Sequence, residues 1–530
     1  MIMFVLGAET NESHRVHWLL YWLVGFDVLV GVYFRFTTSS KLWLDEAQSV
    51  NIATAPLHEI PHLLRLDGAP PAYYVLLHLW MRLFGSSDFA VRSMSGVISC
   101  LTLVVVYWTA KAWLGHRTAL ISVAIVAVLP YMTYYATETR MYALVMLLSA
   151  LAMWTLKVQI TRPSWPSTIA LAALLTCLLY THYWAIYLVS AIACLALIQI
   201  RPPREGMARS WKTACAVATS LVFFAPWLSV FNDQRLHTGT PWAAPAQAYH
   251  LFIWFGDFAT TQGVHYIATS LHSEFELLFY VLLLAIGIFA LPMSRRSSQV
   301  ILEPRIESQA FPLVAVAFGS MTVGLTVSHF AGSAYVARYA AIVAIPISII
   351  IALGLNKLTR GLRIFLVLAL FSGASLWTDD WGSKSQRTQA GQVALALAHG
   401  APGALVVVCP DQLGPSLLRY SPSSDTYIGY PRLDNPRIVN WIDYEKAMTK
   451  RSVKTTARMI AAKVPAGSPV YVVRADYYFL NDTCLNLVTD LKRVLRYKGA
   501  TLVAQKLGGF YQPMNLELLQ PTVPSAAKIR

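Results

Sequence analysis

The sequence predicts an α-helical polytopic membrane protein of about eleven transmembrane helices, followed by a small C-terminal α/β domain. Three observations predict it. Only 13% of the 530 residues are charged and 56% are hydrophobic, with a mean hydropathy of +0.49; a soluble globular chain carries about 25% charged residues. Apolar runs long enough to cross a bilayer, about 18 residues or more, recur up to Trp377. After Trp377 the composition turns polar, and strand-length apolar runs alternate with helical stretches.

The first apolar run covers Val16–Phe34. The N-terminus has no basic region and no small-residue cleavage site, so this run is expected to stay as an anchor. Further spans are expected over Phe89–Trp108, Thr118–Tyr134, Thr139–Val158, Trp165–Tyr180 and Tyr183–Ile200. They continue over Thr213–Val230, Phe275–Leu291, Phe311–His329, Tyr335–Leu355 and Leu362–Trp377. Loop charge orients them. Lys111 and Arg117, Lys157 and Arg162, Arg201 to Lys212, Arg295 to Arg305, and Lys357 to Arg363 all fall in one alternating set of loops. That set is cytoplasmic by the positive-inside rule. An odd number of spans then places residues 378–530 outside. The formal charge of +15 lies in these short loops, so it argues for membrane topology and against a nucleic-acid partner.

Two outer loops are long. In the first, Arg35–Ser87, positions Leu77, Trp80, Met81 and Phe84 form an apolar helical face. The stretch Ala47–Leu66 is partly amphipathic and is broken by Pro56 and Pro61. Both pieces are expected to be interfacial helices. The second, Asn232–Glu274, carries no motif and is expected to be a lid or acceptor-binding loop. Two domains follow: a membrane domain, 1–377, and an extracytoplasmic domain, 378–530. In the latter, Ala404–Cys409 and Val470–Val473 read as strands, and Gln389–Ala398, Tyr444–Ala462 and Asn481–Tyr497 as helices. Cys409 and Cys484 would suit a disulfide outside the cytoplasm, but sequence does not place them together. Cys100, Cys177, Cys194 and Cys215 read as small buried hydrophobes.

The residues that could carry chemistry gather at the outer ends of the spans. Asp45-Glu46 lies just beyond the first span, where an ionisable pair is either a solvated anchor or part of a site. A carboxylate there could deprotonate a hydroxyl or amine nucleophile. Next come Asp67-Gly68-Ala69-Pro70-Pro71-Ala72-Tyr73-Tyr74, Leu83-Phe84-Gly85 and Arg92. Tyr134-Tyr135-Ala136-Thr137-Glu138-Thr139-Arg140-Met141-Tyr142 opens the fourth span. If that segment is helical, Glu138 and Tyr142 share a face and Arg140 points about 160° away, out of a common pocket. His182 sits among Tyr183 and Trp184 at an outer span end. As a metal ligand it would need partners, for which His265 and His272 are the candidates, and a divalent metal stays open. Arg338-Tyr339 lies just inside the tenth span, where an arginine must reach water or an anion.

The order of acidic pair, Pro-Pro-x-Tyr-Tyr, Leu-Phe-Gly and Arg resembles the GT-C fold membrane glycosyltransferases. It is most similar to family 39 and the galacturonosyl-transferase-like domain, with protein O-mannosyltransferases and lipid A aminoarabinose transferases as relatives. The resemblance covers roughly the first half of the chain. It implies an inner or plasma membrane enzyme of the cell envelope with its site facing outward. A sugar, either a mannose-like hexose or a uronic acid or amino sugar, would pass from a polyprenyl-phosphate donor to a glycan, lipid or protein acceptor. It implies Asp45 as catalytic acid-base group with Glu46 beside it, Arg338, Tyr339 and Arg140 around the donor phosphate, and Asp67, Tyr73, Glu138 and His182 in the pocket. Because the leaving group is already a phosphate, one base suffices and inversion is expected. The alternative is a lipid-linked glycan transporter or flippase, whose ionisable groups would sit near the midplane. No internal repeat supports it.

Overall fold

The computed structural model describes residues 2–521 except 199–204, 239–245, most of 251–308, 332–334, 359–361, 477–481 and 507–509. The chain opens with α1 (Ile2–Phe36), α2 (Leu44–Thr54), α3 (Ile60–Asp67) and α4 (Ala72–Phe84). There follow α5 (Asp88–Leu114), α6 (His116–Val128), α7 (Pro130–Ala136) and α8 (Tyr142–Thr161). Among the described residues, seven helices are long and apolar enough to span a membrane, or eight counting the bent pair α6–α7. Two shorter apolar helices, Trp165–Thr181 and Ala185–Ile198, occupy the places of two further expected spans. The expected span Phe275–Leu291 lies largely outside the described residues, and the count of eleven is not reached among them.

Local chemistry explains the breaks. α2 places Asp45 and Glu46 in its first turn, where carboxylates suit the positive end of the helix dipole. It stops just before Pro56, and Pro61 opens α3 in its first turn. Gly68 ends α3 at φ +84°, a left-handed cap that a side chain resists. α6 and α7 meet at Leu129-Pro130 with a 57° bend, because proline offers no N–H to continue the ladder.

α5 packs against α6 and α8, and α1 against α6. Lipid gives little hydrophobic drive between helices, so close contact and dispersion must hold them together. Gly31 of α1 shows this: an added Cβ would lie 2.1 Å from the Ala127 carbonyl oxygen of α6. The span Ala337–Lys357 runs through the centre and is 89% buried.

The expected apolar face of α4 is only half interfacial. Leu77 is fully buried, Trp80 and Met81 pack against the core, and Phe84 is exposed. The outward apolar face is instead Leu76, Leu79 and Leu83. A helix wedged between core and lipid can be apolar on both sides, and its periodicity does not say which side is which. Of the second long loop, Leu228–His237 is helical and most of the rest lies outside the described residues, as do His265 and His272.

The C-terminal part holds a five-stranded mixed sheet, in spatial order Thr426–Gly429, Leu405–Cys409, Val470–Arg474, Asn515–Pro521, Tyr497–Val503. The first three strands are parallel and the last two antiparallel. Both expected strands are present, with helices Ala390–Ala398, Tyr444–Thr449, Val453–Ala461 and Thr483–Leu495 around them. Cys409 and Cys484 are joined by a disulfide. This sheet unit docks on the first long loop. The Gln48 side chain donates to the Val439 carbonyl at 3.3 Å and accepts from the Val439 N–H at 2.8 Å. Trp43, Leu44, Val439, Trp441 and Tyr444 form one apolar cluster across the junction.

Candidate active site

Successive residues of a helix point about 100° apart, so the two carboxylates at the start of α2 go different ways. Glu46 turns inward and is fully buried. It accepts from Arg92 Nε at 2.7 Å and Nη2 at 2.6 Å, and from the Thr139 N–H at 3.0 Å. Arg387 Nη1 stands 3.8 Å away. Glu46 thereby ties α2 to α5, to the segment before α8 and to the chain beyond the last span. These bonds suit a group that orients the loop carrying Asp45.

Asp45 turns to the other side and keeps 17% of its side chain exposed. Its Oδ2 accepts from Arg338 Nη1 at 3.0 Å and lies 4.0 Å from Arg140 Nε. Arg338 sits in the short turn Ala337–Ala340 at the head of its span. Arg140 also donates through Nη1 to the Ser49 hydroxyl at 3.1 Å and to Tyr74 Oη at 3.3 Å. Tyr74 in turn donates to Asp67 Oδ2 at 2.7 Å, and Gln48 Nε2 to Asp67 Oδ1 at 2.7 Å. Asp67 is therefore the far anchor of a polar chain that ends at Asp45, as well as the last residue of α3. The Nε groups of Arg140 and Arg338 are buried and lack a hydrogen-bond partner. Two guanidiniums thus face the Asp45 carboxylate, and each keeps an unsatisfied donor.

The segment between α7 and α8 is not helical, so the helical-wheel separation of Glu138 and Arg140 does not apply. Released from the helical wheel, both turn toward α2. Glu138 accepts from Trp43 Nε1 at 3.0 Å, and its other carboxyl oxygen is buried without a partner. Burial pushes the Glu138 carboxyl up to about 7, with Arg387 pulling it down and Glu46 pushing it up. In the unfolded chain it ionises near its ordinary value of 4.5. Between those values the folded state holds a proton that the unfolded state lacks. The resulting stability is full below the window and is lost as pH rises through it. Glu138→Gln, which mimics the protonated form, should lose less stability than the wild type between about pH 5 and pH 7. Thermal unfolding at the two pH values checks this, and equal losses in both proteins would show that Glu138 is ionised throughout.

Tyr73 is fully buried, with its hydroxyl unpartnered, as are the hydroxyls of Tyr135, Tyr142 and Tyr335. His182 packs between the rings of Tyr142 and Tyr339, at 5.9 and 5.2 Å between centroids. Its Nδ1 accepts from the Trp184 N–H at 3.1 Å. Burial first, then Arg140 and Arg338, push the imidazole down to about 3, so it is neutral at physiological pH. Among the described residues no group of three His, Cys, Asp or Glu side chains could hold a metal ion. Tyr339 lines the site through its ring, 5.8 Å from the Arg338 guanidinium carbon.

Several participants are absent from the sequence-derived site. Gln48 and Ser49 follow the acidic pair by helical spacing and could have been found that way. Arg387 and Tyr511, whose ring lies 4.7 Å from that of Trp43, come from beyond the last span, and no local pattern marks them.

Residues 68–230 match the family described as dolichyl-phosphate-mannose-protein mannosyltransferase. None of the curated proteins searched matches the sequence. Among solved structures, the chain is similar to ArnT from Cupriavidus metallidurans in the apo state, with TM-score 0.60 and 13% identity over 96% of this chain and 98% of that one. ArnT bound to undecaprenyl phosphate gives 0.58 and 12% over 94% and 97%. The oligosaccharyltransferase AglB from Archaeoglobus fulgidus, in complex with an inhibitory peptide and a dolichol-phosphate, gives 0.50 and 11% over 97% and 75%. The chain is a polytopic membrane protein with the GT-C fold of the membrane glycosyltransferases, and its segment 68–230 carries the sequence signature of the dolichyl-phosphate-mannose-protein mannosyltransferases.

Proposed function

We propose that this glycosyltransferase moves a sugar from a polyprenyl-phosphate donor to an acceptor on the outer side of the inner or plasma membrane. The observation that carries this reading is the Asp45 carboxylate set between the partly buried guanidinium of Arg140 and the buried one of Arg338. A donor phosphate entering there meets a positive site with unsatisfied N–H groups. As it engages Arg338, Asp45 loses the cation that holds its oxygen at 3.0 Å and becomes a stronger base. The acceptor oxygen or nitrogen then attacks the anomeric carbon and its proton passes to Asp45. The bond from the anomeric carbon to the phosphate oxygen breaks, and polyprenyl phosphate leaves with the electron pair. Asp67 and Tyr74 hold Arg140 in place, and Glu138 and Tyr73 border the sugar. The relatives with this fold were solved with undecaprenyl phosphate and dolichol phosphate, which supports the donor class. The lysine and arginine asymmetry of the loops supports the outward orientation.

The test is a panel of polyprenyl-phosphate sugars offered to right-side-out membrane vesicles bearing the protein. Turnover of at least one donor is expected from the outer side. Arg338→Ala should weaken donor binding by about 1.5–3 kcal/mol, roughly 10- to 150-fold, because a charge-assisted contact is lost. Arg338→Lys should recover part of it, since an ammonium lacks the planar fork. Unchanged donor affinity in a folded Arg338→Ala protein would remove the phosphate from this arginine.

A further inference from the structure

A well-formed cavity among the described residues lies away from Asp45. It encloses about 250 Å³, and its walls include Arg92 but not Asp45, Arg140 or Arg338. It opens between the last residues of α1, Arg35 and Phe36, and the first turns of α5, Asp88 to Ser93, with Thr38 and Lys41 completing the wall. Both helices are membrane spans that end here, so the cavity sits at the boundary between lipid and water.

Along both spans apolar side chains are exposed. On α5, Phe89, Val97 and Leu101 are 66%, 38% and 53% exposed, and with the cavity-lining Ser93 they follow a four-residue spacing. On α1, Phe26, Leu29 and Tyr33 are exposed in the same way. The two helices are neighbours. A polar chamber therefore stands at the top of an apolar seam.

The chamber is positive. Its walls hold Arg35, Lys41 and Arg92 against the single acid Asp88. Asp88 is taken up by Arg419 at 2.8 Å and Tyr420 at 2.7 Å, and Arg92 is neutralised by Glu46. Arg35 is held by the carbonyls of Gly31, Val126 and Ala127 and by Ser99, with Asp379 on its far side, so the charge of the chamber that is left open is that of Lys41. Lys41 forms no ion pair among the described residues; its ammonium lies 5.0 Å over the Tyr420 ring. It can swing to an anion with three donors.

We propose that this chamber binds the phosphate headgroup of an anionic membrane phospholipid, whose acyl chains run down the α1–α5 seam. The site is separate from the donor site and does not depend on the reaction assigned there. Through Arg92 it touches the residue that fixes Glu46 and the start of α2.

The experiment uses the purified full-length protein reconstituted in phosphatidylglycerol or phosphatidylcholine nanodiscs. Lipid retained after detergent extraction is counted by native mass spectrometry, with thermal unfolding as the check on folding. The wild type should retain phosphatidylglycerol in preference to phosphatidylcholine. Lys41→Glu, at an exposed position, should cut that retention roughly fivefold or more, the worth of one basic residue near an anionic surface. Ser93→Trp, which fills the chamber, should abolish it. Retention in folded Lys41→Glu equal to the wild type overturns the proposal, whatever the fate of Ser93→Trp. Displacement of the lipid by millimolar glycerol phosphate also overturns it, by showing a site for free phosphate. No glycosyl transfer is read, so failure here leaves the donor reading standing, and the reverse holds too.

Discussion

Asp45→Asn should cut turnover by roughly 10²–10⁴-fold and leave donor affinity undiminished. The substitution keeps the shape of the side chain and its acceptor toward Arg338, 3.0 Å away, but removes the basic oxygen. The acceptor proton then has nowhere to go as the new bond forms. Donor affinity should hold or rise, because Arg140 and Arg338 lose a competing negative charge while Arg140 keeps its bonds to Ser49 and Tyr74. Single-turnover rates and donor binding, measured on the same preparation, separate the two effects. If donor affinity falls as much as the rate does, Asp45 serves to hold Arg338 and is not the base. Product stereochemistry gives an independent check, since one base and one displacement imply inversion. Retained configuration at the anomeric carbon would rule out the single-step scheme even with Asp45 essential.

Glu46→Ala should destabilise the protein by about 3–5 kcal/mol, the usual cost of leaving the partner of a buried ion pair alone. Glu46 is fully buried and takes two bonds from Arg92 and one from the Thr139 N–H. Without it, Arg92 keeps only the carbonyls of Ser40 and Lys41. Glu46→Gln retains an acceptor and should lose less. Thermal unfolding of the purified variants reads this directly. A Glu46→Ala protein that melts like the wild type yet is inactive would move Glu46 from the scaffold into the chemistry. The two neighbouring acids thus separate by assay: one variant loses rate, the other loses stability.

The membrane-spanning pattern was legible in the sequence because it is local. An apolar run of sufficient length is a span whatever surrounds it. Ten of the eleven expected spans overlap helices of the structure, and Pro56 and Pro61 mark the break between α2 and α3, whereas the break at Pro130 divides a span expected to be continuous. The acidic pair, Asp67, Glu138, Arg140, His182 and Arg338 could be picked out as polar groups at the ends of apolar runs. In the C-terminal part, the two fully buried strands were visible as continuous apolar runs. Thr426–Gly429, Tyr497–Val503 and Asn515–Pro521 were not, because edge and mixed-face strands carry no such run.

What the sequence by itself determined is therefore an inventory: which segments enter the membrane, and which charged side chains stand at their outer ends. Only the tertiary structure decided the pairing. Arg338 reaches Asp45 across 293 residues, and Arg387 reaches Glu46 from beyond the last span. The turn at 137–141 frees Glu138 and Arg140 from the helical wheel, so that one meets Trp43 and the other Ser49 and Tyr74. The physical reason is the cost of an unpaired charge in a low-dielectric interior, which forces each buried ion to find a partner. Which partner it finds depends on how the helices pack, and that is a property of distance in space that no spacing along the chain records.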